Sequence, residues 1–352
     1  YMIVEPGVRT DDVQKAAKER GLFYAGDPCS GDSCFIGGNV ATNAGGNRAV
    51  KYGTTRQQVY GMEVVTPQGD ILNLGGRLEK NTTGYCLEQL IIGSEGTLGV
   101  ITQITLRLMP MPQHVVDLLA VFPDIDSAIA IVPKIIKAGI TPTCVEFMDN
   151  ITIKSIEAFL NEKLPSSETG HYIILQVEGE SEDDLDNKSV MLDELCTENG
   201  ALSVLVADPQ KIWRARKSFT EAVRHESLIM EKEDIVVPVD KIPQMMREIM
   251  SLSAKYGLVT RTASHAGDGN IHLNILRGNT PEDNTLDSLH QELYTVVYKL
   301  GGKLSGEHGI GYKRVQLMEA MTNPVELSMM RAIKKALDPN LILNPGKIFD
   351  VC

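Results

Sequence analysis

Two short glycine-rich segments carry most of the reactive side chains of this sequence: Ser264-His265-Ala266-Gly267-Asp268-Gly269-Asn270-Ile271-His272 and Gly306-Glu307-His308-Gly309. Glycines on either side let the backbone turn sharply and let a ligand come close. Imidazole and carboxylate groups bind borderline divalent metals and move protons near neutral pH. A set of two histidines and one carboxylate leaves coordination positions open, as a catalytic metal requires. We read His265, His272 and Glu307 as ligands and His308 as a base beside them. The competing reading is a group of ordinary loop side chains satisfied by hydrogen bonds. Their concentration in two glycine-rich loops, in a chain with only 7 histidines, favours the first.

The elements around these segments follow from hydrophobic periodicity. Strands are expected at Leu258–Ser264 and Ile271–Leu276, and a helix over Pro281–Gly301 joins the two reactive segments. Asn274 follows His272 by two residues and so shares its side of a strand. Upstream, strands Val115–Phe122, Thr143–Met148, Tyr172–Glu178, Leu202–Ala207 and Ile235–Pro238 alternate with helices Ile125–Ala138, Ile151–Leu160, Glu182–Asn199, Asp208–His225 and Lys241–Tyr256. Such alternation, without repeats, indicates an α/β or α+β domain. Met109-Pro110-Met111-Pro112 breaks the pattern and marks its start.

Before that break the text differs. Tyr1–Val8 alternates like a strand already in progress, which points to the middle of a domain and predicts a partner strand outside this numbering. Thr10 is expected to cap a helix running to about Arg20. The tract Gly26–Gly53 holds two Gly-Gly pairs with Ser33, Asn39, Thr42 and Asn43, offering bare N–H groups and hydroxyls to an anion or flat polar ligand. It matches neither the GxGxxG nor the GxxxxGK[ST] nucleotide motif. Strands Gln58–Thr66 and Asp70–Leu74 form a hairpin. A second glycine-rich element, Gly93–Ile101, runs into strand Thr102–Leu108, and the tail closes with helix Pro324–Leu337.

Composition narrows the class. The 352 residues suffice for two domains with buried cores, and 43% hydrophobic with 23% charged residues is ordinary for a globular protein. A formal charge of -12 argues against nucleic acid and acidic membranes as partners. No apolar run approaches the roughly 20 residues of a membrane span. The 6 scattered cysteines point to a reduced, cytoplasmic setting, with Cys29 and Cys34 as buried thiols.

Taken together, IGGNVATNAGG (36–46), KYG (51–53), GSEGTLGVIT from Gly93, HAGDGNIH (265–272), SGEHGIG (305–311) and LDPNLILNPGK (337–347) resemble the FAD-linked oxidases with a vanillyl-alcohol-oxidase or PCMH-type flavin fold. Within them the D-2-hydroxyacid dehydrogenases are the nearest branch. The resemblance implies an α+β chain: the second half of a PCMH-type FAD-binding domain over 1–110, a substrate domain with antiparallel sheet and covering helices over 111–325, and a tail over 326–352 returning to the flavin. It implies FAD against Pro28, Ser33, Gly37, Gly38, Thr42, Asn43, Gly45, Glu95, Gly96, Ile101 and Asn344. One divalent metal (Fe, Zn or Mn) falls to His265, His272 and Glu307, with His308 as catalytic base. Arg216, Thr220 and Lys232, with Asn274 beside them, match positions that grip the substrate. The implied reaction is oxidation of a D-2-hydroxy acid, D-lactate first, with glycolate and D-2-hydroxyglutarate as alternatives. Electrons would pass to an electron-transferring flavoprotein or an iron–sulfur subunit. A non-catalytic flavoprotein subunit is the rival from another class, against which the intact set of reactive residues argues.

Overall fold

The computed structural model describes residues 1–277 and 285–351 and is α+β. The chain forms two compact units, one of Tyr1–Met111 with Glu307–Cys352 and one of Pro112–Gly306.

The first unit contains a four-stranded sheet in the order Met2–Val4, Val100–Leu106, Val59–Val65, Ile71–Gly75, antiparallel throughout. The opening strand pairs inside the chain along one edge, Ile3 opposite Thr105, and forms an outer strand of this sheet among the described residues. Val13, Ala17, Tyr24, Ile36, Val40, Met62, Val64, Ile104 and Leu106 form the core of this unit. Two local expectations change. Arg9, not Thr10, caps the first helix, Thr10–Lys18. Thr10 is turned inward, and its hydroxyl accepts from Asn39 Nδ2 at 2.8 Å. Cys29 is exposed and Cys34 half-buried, because both sit in the turns that follow Gly26 rather than in the core.

The second unit is a seven-stranded antiparallel sheet: Ser203–Val206, His114–Phe122, His171–Gly179, Cys144–Met148, Val259–His265, Asn270–Leu276, Met230–Val236. Both faces are covered. Helices Ile125–Lys137, Glu182–Glu198, Ile242–Tyr256 and Thr285–Lys299 form one layer. Helices Asn150–Leu160, Pro209–Lys217 and Phe219–Glu226 form the other, packed over Leu119, Met148, Tyr172, Ile174 and Ala263. Two elements depart from the sequence expectation. The single helix expected over Asp208–His225 is two helices, parting at Ser218. The strand expected at Ile235–Pro238 is the longer Met230–Val236, since its four consecutive charged residues fall on both faces, Lys232 and Asp234 beside His272 and Glu231 and Glu233 opposite, and left no apolar alternation to read. The helix expected over Pro281–Gly301 runs Thr285–Lys299, and residues 281–284 lie outside the described residues.

Candidate active site

Val259–His265 and Asn270–Leu276 form a hairpin in which His265 opposes Asn270 and Ala263 opposes His272. Opposite residues share a face, so His265, Asn270, His272 and Asn274 stand on one side of the sheet. The loop between the strands is closed by its own backbone: the N–H groups of Asp268 and Gly269 donate to His265 O at 3.2 and 3.1 Å. Asp268 Oδ1 accepts from Asn270 N at 3.1 Å. Gly269 has φ +91°, and a Cβ there would lie 1.9 Å from Val237 O. Only glycine fits that position.

The neighbouring strands extend the polar face. Glu146 opposes His265 on one side, while Asp234 opposes His272 and Lys232 opposes Asn274 on the other. Glu146, Asp234, His265, Asn270 and Asn274 are all buried. Fully burying a large apolar side chain contributes about 1.5–3 kcal/mol. A row of polar groups across four strands forgoes that at each position and requires partners in return.

The partners are specific. Glu146 Oε1 meets His265 Nδ1 at 2.7 Å, and its Oε2 accepts from Arg216 Nε at 2.7 Å, with Arg216 Nη2 also at 2.7 Å. A carboxylate at Nδ1 assigns the proton to that nitrogen and leaves Nε2 with its lone pair. That Nε2 lies 3.1 Å from His272 Nε2, with the two rings nearly perpendicular at 85°. Two cis ligands, each about 2.1 Å from one ion, stand about 3 Å apart. The imidazole pair thus fits a divalent metal. Asp234 is likewise engaged: Oδ1 accepts from Asn270 Nδ2 at 2.7 Å, Oδ2 from Ser305 Oγ at 2.6 Å, and His272 Nδ1 lies 4.0 Å from Oδ1.

Sequence reasoning missed Glu146 and Asp234. A signal was present for the first, since Glu146 is the lone charge in the apolar run Cys144–Met148, every residue of which is buried. Arg216, expected from the resemblance at the substrate, is 3% exposed and turned onto Glu146. Thr220, one helical turn on, is half-buried. Lys232 has its pKa lowered, first by burial and then by Arg224.

The first unit holds the other expected residues. Glu307 lies against the glycine tract: a Cβ on Gly45 would come within 2.8 Å of its Oε2. His308 Nε2 is 3.6 Å from Glu307 Oε1, with the imidazole about half exposed. Glu95, itself at φ +52°, accepts from the N–H groups of Ile310 and Gly311 at 2.7 and 2.8 Å and so fixes the chain just beyond His308. Asn344 Nδ2 donates to Glu95 O at 2.5 Å. Asn43 Oδ1 accepts from Thr54 Oγ1 and Arg56 N, Thr42 Oγ1 donates to Gly38 O, and Ser33 Oγ donates to Ser30 O. These side chains shape the tract from within. Pro28 closes a turn by accepting from Gly31 N, Gly37 packs against Pro6, and Ile101 lies in strand Val100–Leu106. A Cβ on Gly38 would meet nothing within 4 Å, and one on Gly96 only Asn344 Nδ2 at 3.9 Å. Backbone is thus open to close approach at both glycines, as a flat dinucleotide needs.

Comparisons with known proteins agree with both units. Residues 111–348 match the family described as FAD linked oxidases, C-terminal domain, and residues 1–75 match an FAD binding domain. The chain is 37% identical to the D-lactate dehydrogenase of Anaerostipes hadrus over 98% of its own length and 75% of that protein. It is also 37% identical to glycolate oxidase subunit GlcD of Bacillus subtilis (strain 168), over 98% of this chain and 74% of that one. The structure of p-cresol methylhydroxylase with substrate bound superposes with a TM-score of 0.76 at 18% identity, over 99% of this chain and 76% of that one, a likeness of fold alone. No helix among the described residues is long and apolar enough to cross a membrane.

Proposed function

We propose, because the chain belongs to the family of FAD-linked oxidases, that it oxidises a D-2-hydroxy acid to the 2-oxo acid, with D-lactate to pyruvate as the leading reaction. The observation that supports this most is the imidazole pair at 3.1 Å, backed by a buried carboxylate. His265 and His272, with Glu307, are the residues that would hold a divalent ion of the Fe, Zn or Mn class. Bound FAD would supply the two-electron acceptor, and the ion a Lewis acid that acidifies the substrate hydroxyl. The chain's own residues do the rest. His308 takes the hydroxyl proton as general base, and Arg216, Thr220, Lys232 and Asn274 orient the carboxylate end. The glycines from Gly37 to Gly45, with Pro28, Ser33, Thr42, Asn43, Glu95, Gly96, Ile101 and Asn344, shape the flavin seat. Electrons leave to a second redox protein, an electron-transferring flavoprotein or an iron–sulfur subunit, in keeping with one relative's being named a subunit.

Glycolate is the second reading, favoured by the equal identity to that subunit. Anaerobic bleaching of the flavin by D-lactate, L-lactate, glycolate and D-2-hydroxyglutarate separates the substrates. A flavin that none of them bleaches would remove the proposal. For the base, His308→Asn is expected to keep metal and flavin, still bind the acid, and reduce flavin about 10²–10⁴-fold more slowly in stopped-flow traces. Loss of the metal from that variant would make His308 a ligand instead.

A further inference from the structure

We infer that Glu146 is the positioning residue of this site, a single buried carboxylate that aims His265 with one oxygen and fixes Arg216 with the other. The inference rests on the metal reading of His265 and His272 given above. Its ground is geometry within one sheet face. Glu146 sits directly across the strand from His265 and is wholly buried, and each of its oxygens has a different partner at 2.7 Å. The imidazole side is a carboxylate–histidine arrangement, which sets the ring's tautomer and tilt and makes Nε2 a better donor to a cation. The guanidinium side balances the charge. Without Arg216 a buried carboxylate would stand beside the imidazole with nothing to offset it.

The arrangement links two tasks usually served by separate groups. Ring orientation at His265 governs metal affinity, and the position of Arg216 governs whatever anionic substrate end it orients. One substitution should therefore disturb both. Trp213, three residues before Arg216, is held separately: its Nε1 donates to Asp117 Oδ1 at 2.9 Å. The helix is thereby anchored independently of Glu146, and a change at Glu146 releases the guanidinium without releasing the helix.

The test uses the intact flavin-loaded protein, stripped of metal with a chelator and titrated with cobalt(II) alone against a chromophoric competitor. Glu146→Gln, which keeps the shape and removes the charge, is expected to weaken cobalt binding by about 10–100-fold and to change the cobalt visible spectrum. The Michaelis constant for the hydroxy acid should also rise at saturating metal. If Glu146→Gln does not fold, the charge-free double variant Glu146→Gln/Arg216→Gln reads the same affinity, with the same weakening expected. His265→Ala is the control arm. Should His265→Ala bind cobalt like the parent, the metal reading itself fails and the inference falls with it. Should His265→Ala lose cobalt while Glu146→Gln binds it with parental affinity and spectrum, Glu146 is structural only and the inference alone is overturned.

Discussion

His265→Ala is expected to abolish binding of the proposed divalent ion and to lower turnover by at least about 10³-fold, with flavin content unchanged. The Lewis-acid contribution of a catalytic metal is several kcal/mol, and each 1.36 kcal/mol is tenfold in rate. Flavin should stay because its expected seat is built from other strands and loops, in Tyr1–Met111 and the Glu307–Cys352 segment, whereas His265 ends a strand of Pro112–Gly306. The variant also removes one of the two partners of Glu146, and an unmatched buried acceptor costs about 1–3 kcal/mol, so some loss of stability accompanies it. Metal analysis per flavin together with steady-state turnover decides the matter. Parental metal content with parental turnover would take His265 out of the ligand set.

The second large effect concerns stability and lies in the tail. Lys334 and Asp338 are buried, at 3% and 0% exposure, one turn apart near the end of helix Pro324–Leu337. Lys334 Nζ donates to Asp338 Oδ2 at 2.5 Å, to Thr97 O at 2.7 Å and to Leu343 O at 2.9 Å. Asp338 in turn accepts from the N–H groups of Ile342 and Leu343 at 3.1 and 2.9 Å. Burial by itself would raise the Asp338 pKa, but the bonds from Lys334 and the two amides together hold it below the ordinary value of 3.8. Lys334→Met leaves that carboxylate buried without its cation, which costs about 3–5 kcal/mol. The pH dependence follows in sign. A depressed carboxylate stabilises the fold above its unfolded pKa and loses that contribution as pH falls through the folded one. In Lys334→Met the carboxylate takes up its proton at higher pH, which relieves the unpaired charge. The destabilisation measured by urea unfolding should therefore be smaller at pH 4 than at pH 7. A deficit of equal size at both values would rule out the ion pair as its cause.

Much of this architecture was legible in the residue pattern. Helix Pro324–Leu337 appears with the bounds its periodicity gave, and the hairpin of Val59–Val65 with Ile71–Gly75 lies within a residue of its expected ends. His272 and Asn274 share a face because strands alternate, and that alternation is visible in ILE-HIS-LEU-ASN order alone. What stayed hidden is pairing across the sheet. Glu146 is 119 residues from His265, and no local signal says which strand lies beside Val259–His265. The same holds for Asp234 opposite His272. Periodicity gives the face a side chain occupies, whereas register gives its neighbours, and chemistry depends on the neighbours. Helix continuity misled in a different way. The text from Asp208 to His225 keeps helical spacing through Ser218, and only the capping geometry divides it.

The unit that holds the glycine tract is discontinuous, completed by contacts such as Glu95 with Ile310 and Gly311 and Lys334 with Thr97. During synthesis at about 5–20 residues per second, Pro112–Gly306 leaves the ribosome as one uninterrupted stretch and can settle on its own contacts. Tyr1–Met111 emerges earlier yet has no such option, because the residues that complete its unit, Glu307–Cys352, are made only after Pro112–Gly306. Closing so long a loop before its contacts form is slow. Pro112–Gly306 is thus expected to complete its fold before Tyr1–Met111 does, leaving Tyr1–Met111 the longer exposed of the two to chaperones and proteases.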